Sequence, residues 1–235
     1  MTGAAPVVTA VIPVFNGARF LAAAVASIAG QAKGRVRAAI VDDGSTDASA
    51  ALIAALAAAH DWIVPLRHDA NRGVAAARNA GIAAASTPFI AFLDQDDAWA
   101  EGKLDLQLGV LAREPELEFV VGQQLFHVEP GTAKPAWVKE RYLDGPQAGY
   151  VFGATLARRH CFERTGPLLE ALRYGTDDVD WFARARAAGL RHRLLKKTVL
   201  HRTLHETNLS RMTAFNNPEL LRVMHRAIQR RRGEG

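Results

Sequence analysis

The sequence lacks the features that would place it outside the cell or within a membrane. Cys161 is the single cysteine among 235 residues, so no internal disulfide can form and no zinc site can be built from a cysteine cluster. The alanine-rich stretch in the first half of the chain is interrupted by Arg78, Asn79 and Gly81 before it reaches the roughly 20 apolar residues that a membrane span needs. We therefore expect a soluble protein of the reducing cytoplasm.

Three common binding motifs are also missing. The first apolar run leads into residues 13–17 (PVFNG) rather than into the G-x-G-x-x-G turn of dehydrogenases. His201 and His205 are four residues apart, but Arg202 follows the first of them, where a zinc protease has glutamate. The net charge of +5 suits anionic lipid or phosphorylated substrates as well as nucleic acid, and no nucleic-acid-binding motif is recognisable. We expect no nucleic-acid partner.

In the first part of the chain, short β-rich runs alternate with longer helical patterns. Such alternation is typical of parallel strands joined by helices, and it predicts a doubly wound α/β fold. The predicted strands are residues 8–14, 37–41, 62–67 and 88–93, and the predicted helices between them are residues 18–29, 47–59 and 74–84.

The second part is less regular, and its predicted elements are a helix at 103–113, strands at 119–126 and 150–156, a helix at 177–188 and a strand at 192–200. Proline and glycine punctuate the segment between the first two of these strands, which we predict to be a mobile loop. We divide the chain into two halves of one domain, residues 1–98 and 99–215, and a basic tail, residues 216–235. A helix predicted at 219–232 in this tail either packs on its own domain with a solvated basic face or docks on the inner face of an anionic membrane.

Residues 92–97 (FLDQDD) form an apolar run that ends in three carboxylates. Carboxylates repel each other and resist desolvation, so a bound cation explains their clustering at the end of a buried strand. Magnesium and manganese prefer oxygen ligands, and magnesium usually takes one or two carboxylates plus the phosphates of a substrate. Alternatively, Asp96 and Asp97 occupy a turn or begin the helix that starts near Glu101.

Polar residues follow the predicted strands at 13–16, 42–47, 71–73 and 94–97. Ligands of doubly wound sheets bind beyond the carboxyl ends of the strands, so these segments are expected to gather along one edge. A carboxylate at 42–43 accepts a hydrogen bond from a nucleobase, or this segment is a plain junction of strand, turn and helix. Arg72 or Arg78 reaches a diphosphate, or both are solvated on a surface helix.

Two further groups of polar residues lie in the second half. Asp177, Asp178 and Asp180 occupy the first turn of a predicted helix, where the helix macrodipole favours negative charge. An aspartate on such a rigid mount can instead serve as a general base that removes a proton from a hydroxyl. His205 is either a surface histidine or a ligand of a phosphate or a divalent ion.

These segments occur in one order along the chain, which is 12–16 (IPVFN), 41–47 (VDDGSTD), 71–81, 92–97, 177–182 (DDVDWF) and 205–210 (HETNLS). Together they resemble the family 2 glycosyltransferases over roughly residues 7–211. The resemblance implies the GT-A fold, a Rossmann-like α/β fold with a mixed, mainly parallel sheet flanked by helices. It also implies transfer of a sugar from a nucleoside-diphosphate sugar, a UDP-sugar being favoured, to an acceptor nucleophile with inversion at the anomeric carbon.

The resemblance further implies roles for individual residues. Asp178 matches the base, Asp177 is the first acid of its pair, and Asp96 and His205 match the site of a Mn²⁺ or Mg²⁺ ion. The residues implied to contact the nucleotide sugar are Pro13, Phe15, Asn16, Asp43, Asn71, Gly73, Arg78, Asp94 and Gln95. Residues 1–98 are then the nucleotide-sugar-binding half and residues 99–215 the acceptor-binding half.

The acceptor is not implied. Because the chain has no transmembrane segments of the kind found in processive polymer synthases, we expect single transfers. A catalytically inactive scaffold or sensor that binds a nucleotide sugar is the alternative function.

Overall fold

The computed structural model describes residues 6–32, 34–172 and 176–208. Within these ranges nine strands form one sheet, and six helices accompany it. The strands are β1 (Val8–Val14), β2 (Val36–Asp42), β3 (Ile63–Arg67), β4 (Phe89–Phe92), β5 (Ala98–Trp99), β6 (Phe119–Val128), β7 (Gln147–Ala148), β8 (Thr155–Arg158) and β9 (His192–Leu204). The helices are α1 (Ala18–Ala32), α2 (Ser49–Ala59), α3 (Val74–Ala83), α4 (Lys103–Arg113), α5 (His160–Thr165) and α6 (Asp177–Ala187), with one-turn 3-10 helices at Glu140–Tyr142 and Phe152–Ala154.

Parallel pairings build the first part of the sheet. β1 lies between β2 and β4, and β3 pairs with the other edge of β2. All seven residues of β1 are buried, as expected for a strand covered on both faces by helices. Helix α3 packs closely on β1, since a Cβ atom at Gly81 would lie 2.4 Å from Cγ1 of Val11. Because β1, β2 and β4 run parallel, their carboxyl ends meet at one edge of the sheet.

The second part of the sheet is mixed in direction. β8 pairs antiparallel with both β4 and β6, and β9 pairs parallel with β6 and antiparallel with β5. The resulting strand order is β3-β2-β1-β4-β8-β6-β9-β5, with β7 beside β6. β4 therefore connects the parallel first part to the mixed second part, and the residues that follow β4 lie between the two.

The predicted α/β fold is confirmed, and most predicted elements occur within three residues of their predicted bounds. β9 runs four residues beyond its predicted end and includes His201. The strand predicted at 150–156 is wrong over its first part, because Phe152–Ala154 forms a 3-10 turn and β8 begins at Thr155. The cause is tertiary packing: a Cβ atom at Gly153 would lie 2.8 Å from a methyl group of Leu200. The sequence pattern also missed β5, β7 and α5.

Two expectations concern membranes. Within the described ranges, every helix falls short of the combined length and apolar character that crossing a bilayer requires. The basic helix predicted at 219–232 lies outside the described residues.

Candidate active site

A cavity of about 930 Å³ opens at the edge where β1, β2 and β4 end. The family resemblance implied roles for thirteen residues, and twelve of them line this cavity, namely Pro13, Phe15, Asn16, Asp43, Asn71, Gly73, Arg78, Asp94, Gln95, Asp96, Asp178 and His205. Asp177 is the exception, because its side chain is fully buried beneath the cavity wall. The topology thus brings together residues separated by almost 200 positions in the sequence.

Asp43 holds the segment that leads into α3. Its carboxylate accepts hydrogen bonds from the backbone N–H of Arg72 (3.0 Å) and of Gly73 (2.8 Å), and it lies 2.6 Å from Nδ1 of His68. Gly44, the next residue, has a φ of +72°, and a Cβ atom there would lie 2.5 Å from the backbone of Ala70. Asp43 therefore shapes this wall of the cavity in addition to lining it.

Gln95 and Asn16 fix the loop after β1. Gln95 accepts a hydrogen bond from the backbone N–H of Phe15 (2.9 Å) and donates one to the carbonyl of the same residue (3.1 Å). Asn16, at a φ of +50°, accepts one from the backbone N–H of Thr46 (2.8 Å). The side chain of Phe15 is 43% exposed, so its ring is available to a ligand at the cavity edge.

Arg78, on the cavity wall, forms ion pairs with two carboxylates. Its guanidinium donates to Asp94 (2.6 Å) and to the fully buried Asp177 (2.8 Å). Burial alone would lower the pKa of Arg78, but the charges of Asp177 and then Asp94 raise it above its ordinary value. Burial conversely favours the neutral form of Asp94, yet the charge of Arg78 outweighs it and lowers the pKa of Asp94. Arg78 and Asp94 are thus both charged at neutral pH.

Asp178 has a different environment, although it adjoins Asp177. It lines the cavity, and one of its carboxylate oxygens accepts a hydrogen bond from the N–H of Val179 (2.7 Å). Burial, and secondly the negative charge of Asp177, raise the pKa of Asp178 to about 7. A carboxylate with this pKa accepts a proton near neutral pH more readily than an ordinary aspartate, as a general base must.

Asp96 and His205 form a pair on the cavity wall. Oδ2 of Asp96 lies 2.9 Å from Nε2 of His205 and accepts a hydrogen bond of 2.9 Å from the amide of Asn208. The imidazole stacks on Phe20 with 4.6 Å between ring centroids. Nδ1 accepts a hydrogen bond of 3.3 Å from the backbone N–H of Thr207 and lies 2.9 Å from the hydroxyl of the same residue.

This pair fits a divalent cation. The described residues contain no group of three or more His, Cys, Asp or Glu side chains that could hold a metal by themselves. Magnesium and manganese sites of two protein ligands are nevertheless common where substrate phosphates complete the coordination.

Arg202 on β9 was missed by the sequence analysis as a site residue. Its side chain lines the cavity, and its Nε lies 3.4 Å from the buried Asp97. Burial opposes its charge, but Asp97, Asp94 and other nearby carboxylates raise its pKa. The available signal was the alternation along β9, since Leu200, Arg202 and Leu204 all line the cavity.

A group of aromatic side chains that lines the cavity was also missed by the sequence analysis. Phe126, Trp137, Tyr142 and Tyr150 line the cavity, together with Gln124. Phe126 and Gln124 belong to β6, whereas the other three rings belong to the segment between β6 and β8. Trp137 and Tyr142 fall in the segment predicted only as a loop, and Tyr150 is the first residue of the strand predicted at 150–156.

The sequence matches the family described as Glycosyl transferase family 2 over residues 9–166, well over half of the 235 residues. The chain belongs to this family. Within glycosyl transferase family 2, the succinoglycan biosynthesis protein ExoU of Rhizobium meliloti is 32% identical over an alignment of 217 residues. This alignment covers 83% of this chain and 61% of that protein. The uncharacterized glycosyltransferase alr2836 of Nostoc sp. is 43% identical over 98 residues, 41% of this chain and 30% of the relative. The chain therefore spans less than two thirds of the length of either relative.

Solved structures share the fold of this family 2 chain. TarS 1–349 of S. aureus in complex with UDP-GlcNAc aligns with a TM-score of 0.75 and 17% identity, covering 95% of this chain and 66% of that one. The mannosyltransferase PcManGT of Pyrobaculum calidifontis, in complex with GDP-Man and Mn²⁺, aligns with a TM-score of 0.72 and 21% identity, covering 96% and 65%. Both likenesses confirm the GT-A fold that the resemblance implied.

Proposed function

We propose that this family 2 chain transfers a sugar from a nucleoside-diphosphate sugar to an acceptor hydroxyl, with inversion and with the help of Mn²⁺ or Mg²⁺. The observation that carries the proposal is the arrangement of one cavity, which has the Asp96–His205 pair and Arg78 on its walls and a carboxylate of raised pKa, Asp178, facing the same space. Structural neighbours in complex with UDP-GlcNAc and GDP-Man support this class of donor. A uridine nucleotide is our first expectation.

The donor end of the cavity supplies contacts for base, ribose and diphosphate. The exposed ring of Phe15 and the carboxylate of Asp43 lie where β1 and β2 end, and two arginines, Arg78 and Arg202, border the acidic cluster. Asp96 and His205 would hold the divalent ion. When bound, this ion supplies positive charge that offsets the charge developing on the leaving diphosphate.

The acceptor is activated by Asp178. Its carboxylate takes the proton of the acceptor hydroxyl, the acceptor oxygen forms a bond to the anomeric carbon, and the bond from that carbon to the phosphate oxygen breaks with its electron pair leaving on the diphosphate. Attack from the face opposite the leaving group inverts the anomeric centre. We assign Asp177 to a positioning role, because it is fully buried and bonded to Arg78.

The test is donor turnover by the purified chain with Mn²⁺, measured as nucleotide release from UDP-Glc, UDP-GlcNAc, UDP-Gal and GDP-Man. We expect Asp96→Asn to abolish metal-dependent release. Asp178→Asn should bind the same donor, as judged by thermal shift, but lose transfer by about 10²- to 10⁴-fold. Asp61→Asn, an exposed aspartate away from the cavity, is the matched control.

Undiminished metal-dependent turnover by Asp96→Asn would contradict the metal assignment. Donor binding without any hydrolysis or transfer, under conditions where the control variant also binds donor, would favour the non-catalytic scaffold or sensor instead.

A further inference from the structure

We propose that Phe126, Trp137, Tyr142 and Tyr150, the aromatic wall, form an acceptor subsite that takes a pyranose ring of a carbohydrate. This inference rests on the proposed function, since it names the class of molecule that receives the sugar. All four side chains line the same cavity as the acidic cluster and come from β6 and the segment after it, whereas the proposed donor residues Phe15 and Asp43 follow β1 and β2.

The strand order separates the two ends of the cavity. In the sequence β2-β1-β4-β8-β6-β9, the nucleotide-side residues follow β2 and β1, and Asp94 and Asp96 follow β4. Phe126 lies on β6, two strands beyond β4. The acidic cluster therefore lies between the donor end and the aromatic wall, as a reaction centre must lie between its two substrates.

Contacts join the wall to Arg202 and to the helix that carries Asp178. The guanidinium of Arg202 lies 5.5 Å from the ring centroid of Phe126, whose ring lies 5.4 Å from that of Tyr142. The ring of Tyr150 lies 5.1 Å from Phe182, one helical turn after Asp178 on α6. The wall thus adjoins both Arg202 and α6, the helix that carries the proposed base.

Polar groups beside the wall favour a carbohydrate over a hydrocarbon chain. Gln124 is 7% exposed, and its side-chain oxygen accepts a 3.4 Å bond from Arg202. Its amide nitrogen has no hydrogen-bond partner among the described residues. An occupant that brought no acceptor would leave the amide N–H groups of Gln124 desolvated and unpaired, which is unfavourable.

A pyranose ring satisfies both demands. Its C–H face packs on the negative faces of aromatic rings, and its hydroxyl groups accept hydrogen bonds from an amide. Pockets for small ligands typically combine such aromatic lining with a few polar groups that fix orientation. An isoprenoid chain would use only the aromatic part.

The wall can be probed without knowing the acceptor. Saturation-transfer NMR, with saturation of the aromatic protons of the protein, is recorded with methyl glucopyranoside, methyl galactopyranoside, cellobiose and, separately, farnesyl phosphate. We expect at least one saccharide to receive saturation through its ring protons. Trp137→Ala and Tyr142→Ala should each weaken its binding about 3- to 10-fold.

Gly149→Ala tests the polar component in a chain with all four rings intact. A Cβ atom at Gly149 would lie 2.7 Å from the amide nitrogen of Gln124 and would push this amide aside without straining the backbone. We expect weaker saccharide binding here as well. Leu143→Ala is the matched control, because Leu143 is exposed, follows Tyr142 and does not line the cavity.

Outcomes at the donor end are read separately, as the thermal shift produced by UDP or GDP with Mn²⁺. Saccharide binding by a chain that binds no nucleotide would sink the proposed function and leave the subsite standing. Donor turnover with no saturation of any saccharide, or saturation unchanged in Trp137→Ala and Tyr142→Ala, would overturn the subsite. Farnesyl phosphate binding that depends on Trp137, with no saccharide bound, would assign the wall to a lipid acceptor instead.

Discussion

At the scale of single residues, Asp177 and Asp178 adjoin in the sequence but meet opposite surroundings. Asp177 is fully buried and bonded to Arg78, whereas Asp178 faces the cavity and carries a pKa of about 7. The negative charge of Asp177 is one of the causes of that raised pKa. In the proposed mechanism the two carboxylates therefore have different roles, since Asp177 positions Arg78 and Asp178 exchanges a proton.

This division predicts a pH profile. Because only the ionised form of Asp178 accepts a proton, kcat/KM for the acceptor should rise about tenfold per pH unit below a midpoint near 7 and level off above it. Removing the charge of Asp177 in Asp177→Asn should move the midpoint to lower pH. Initial rates measured between pH 5.5 and 8.5 check both statements, and a flat profile would exclude Asp178 as the base.

A second residue-scale prediction concerns Gly44. It has a φ of +72° and leaves only 2.5 Å between an added Cβ atom and the backbone of Ala70. We expect Gly44→Ala to lower the free energy of unfolding by at least about 2 kcal/mol, because left-handed strain adds to a backbone clash. Gly30→Ala is the control, since Gly30 lies inside α1 with open space around it and alanine there should stabilise by ~0.5–1 kcal/mol. Urea unfolding of both variants provides the measurement, and equal effects would contradict the argument.

At the scale of elements, α4 supports the cavity from behind through two side chains one turn apart. Lys103 donates to the carbonyl of Gly153 (3.1 Å), and Gln107 donates to that of Ala154 (2.9 Å). These bonds hold the 3-10 turn Phe152–Ala154, whose Phe152 ring lies 5.3 Å from the Arg78 guanidinium. The elements behind the cavity are thus linked to the ion pairs within it.

Lys103 gives this support a pH dependence. Burial lowers its pKa to about 7, while the unfolded chain keeps an ordinary lysine that is protonated up to a pH of ~10.4. Between these values the unfolded state binds one more proton, so this lysine makes stability rise with pH by about 1.4 kcal/mol per unit. Replacing it in Lys103→Met should remove that slope, so that the stability of the variant relative to the wild type falls steadily from pH 7 to pH 9.5. Parallel curves from denaturant unfolding would contradict the shifted pKa.

At the scale of the whole molecule, the first part of the chain was largely predictable because its signals are local. Unbroken apolar runs and alanine-rich helices fix β1 to β4 and α1 to α3, and polar residues at strand ends mark the cavity. The second part depends on packing between distant residues. The turn at Gly153 follows from contact with Leu200, which leaves no local pattern, and the place of Arg202 follows from the pairing of β9 with β6, of which the alternation along β9 is a local sign.

The continuous sheet predicts cooperative unfolding. β4 pairs with β1 on one side and with β8 on the other, and Asn79 of α3 receives a 2.8 Å hydrogen bond from the N–H of Leu168 across the two halves. We expect circular dichroism and tryptophan fluorescence to report one coincident urea transition, because neither half keeps its sheet neighbours alone. Two separated transitions would instead indicate halves that fold independently.

The origin of the aromatic residues has a consequence for how such enzymes diversify. Trp137, Tyr142 and Tyr150 come from one segment between β6 and β8, which pairs with the sheet through the two residues of β7, whereas the groups proposed to bind the diphosphate belong to α3, β9 and the residues that follow β4 and β9. Mutations in this segment can accumulate with little cost to the sheet. Exchanging residues 129–151 between homologues should therefore transplant a preference for what is glycosylated while preserving the activated sugar that is consumed.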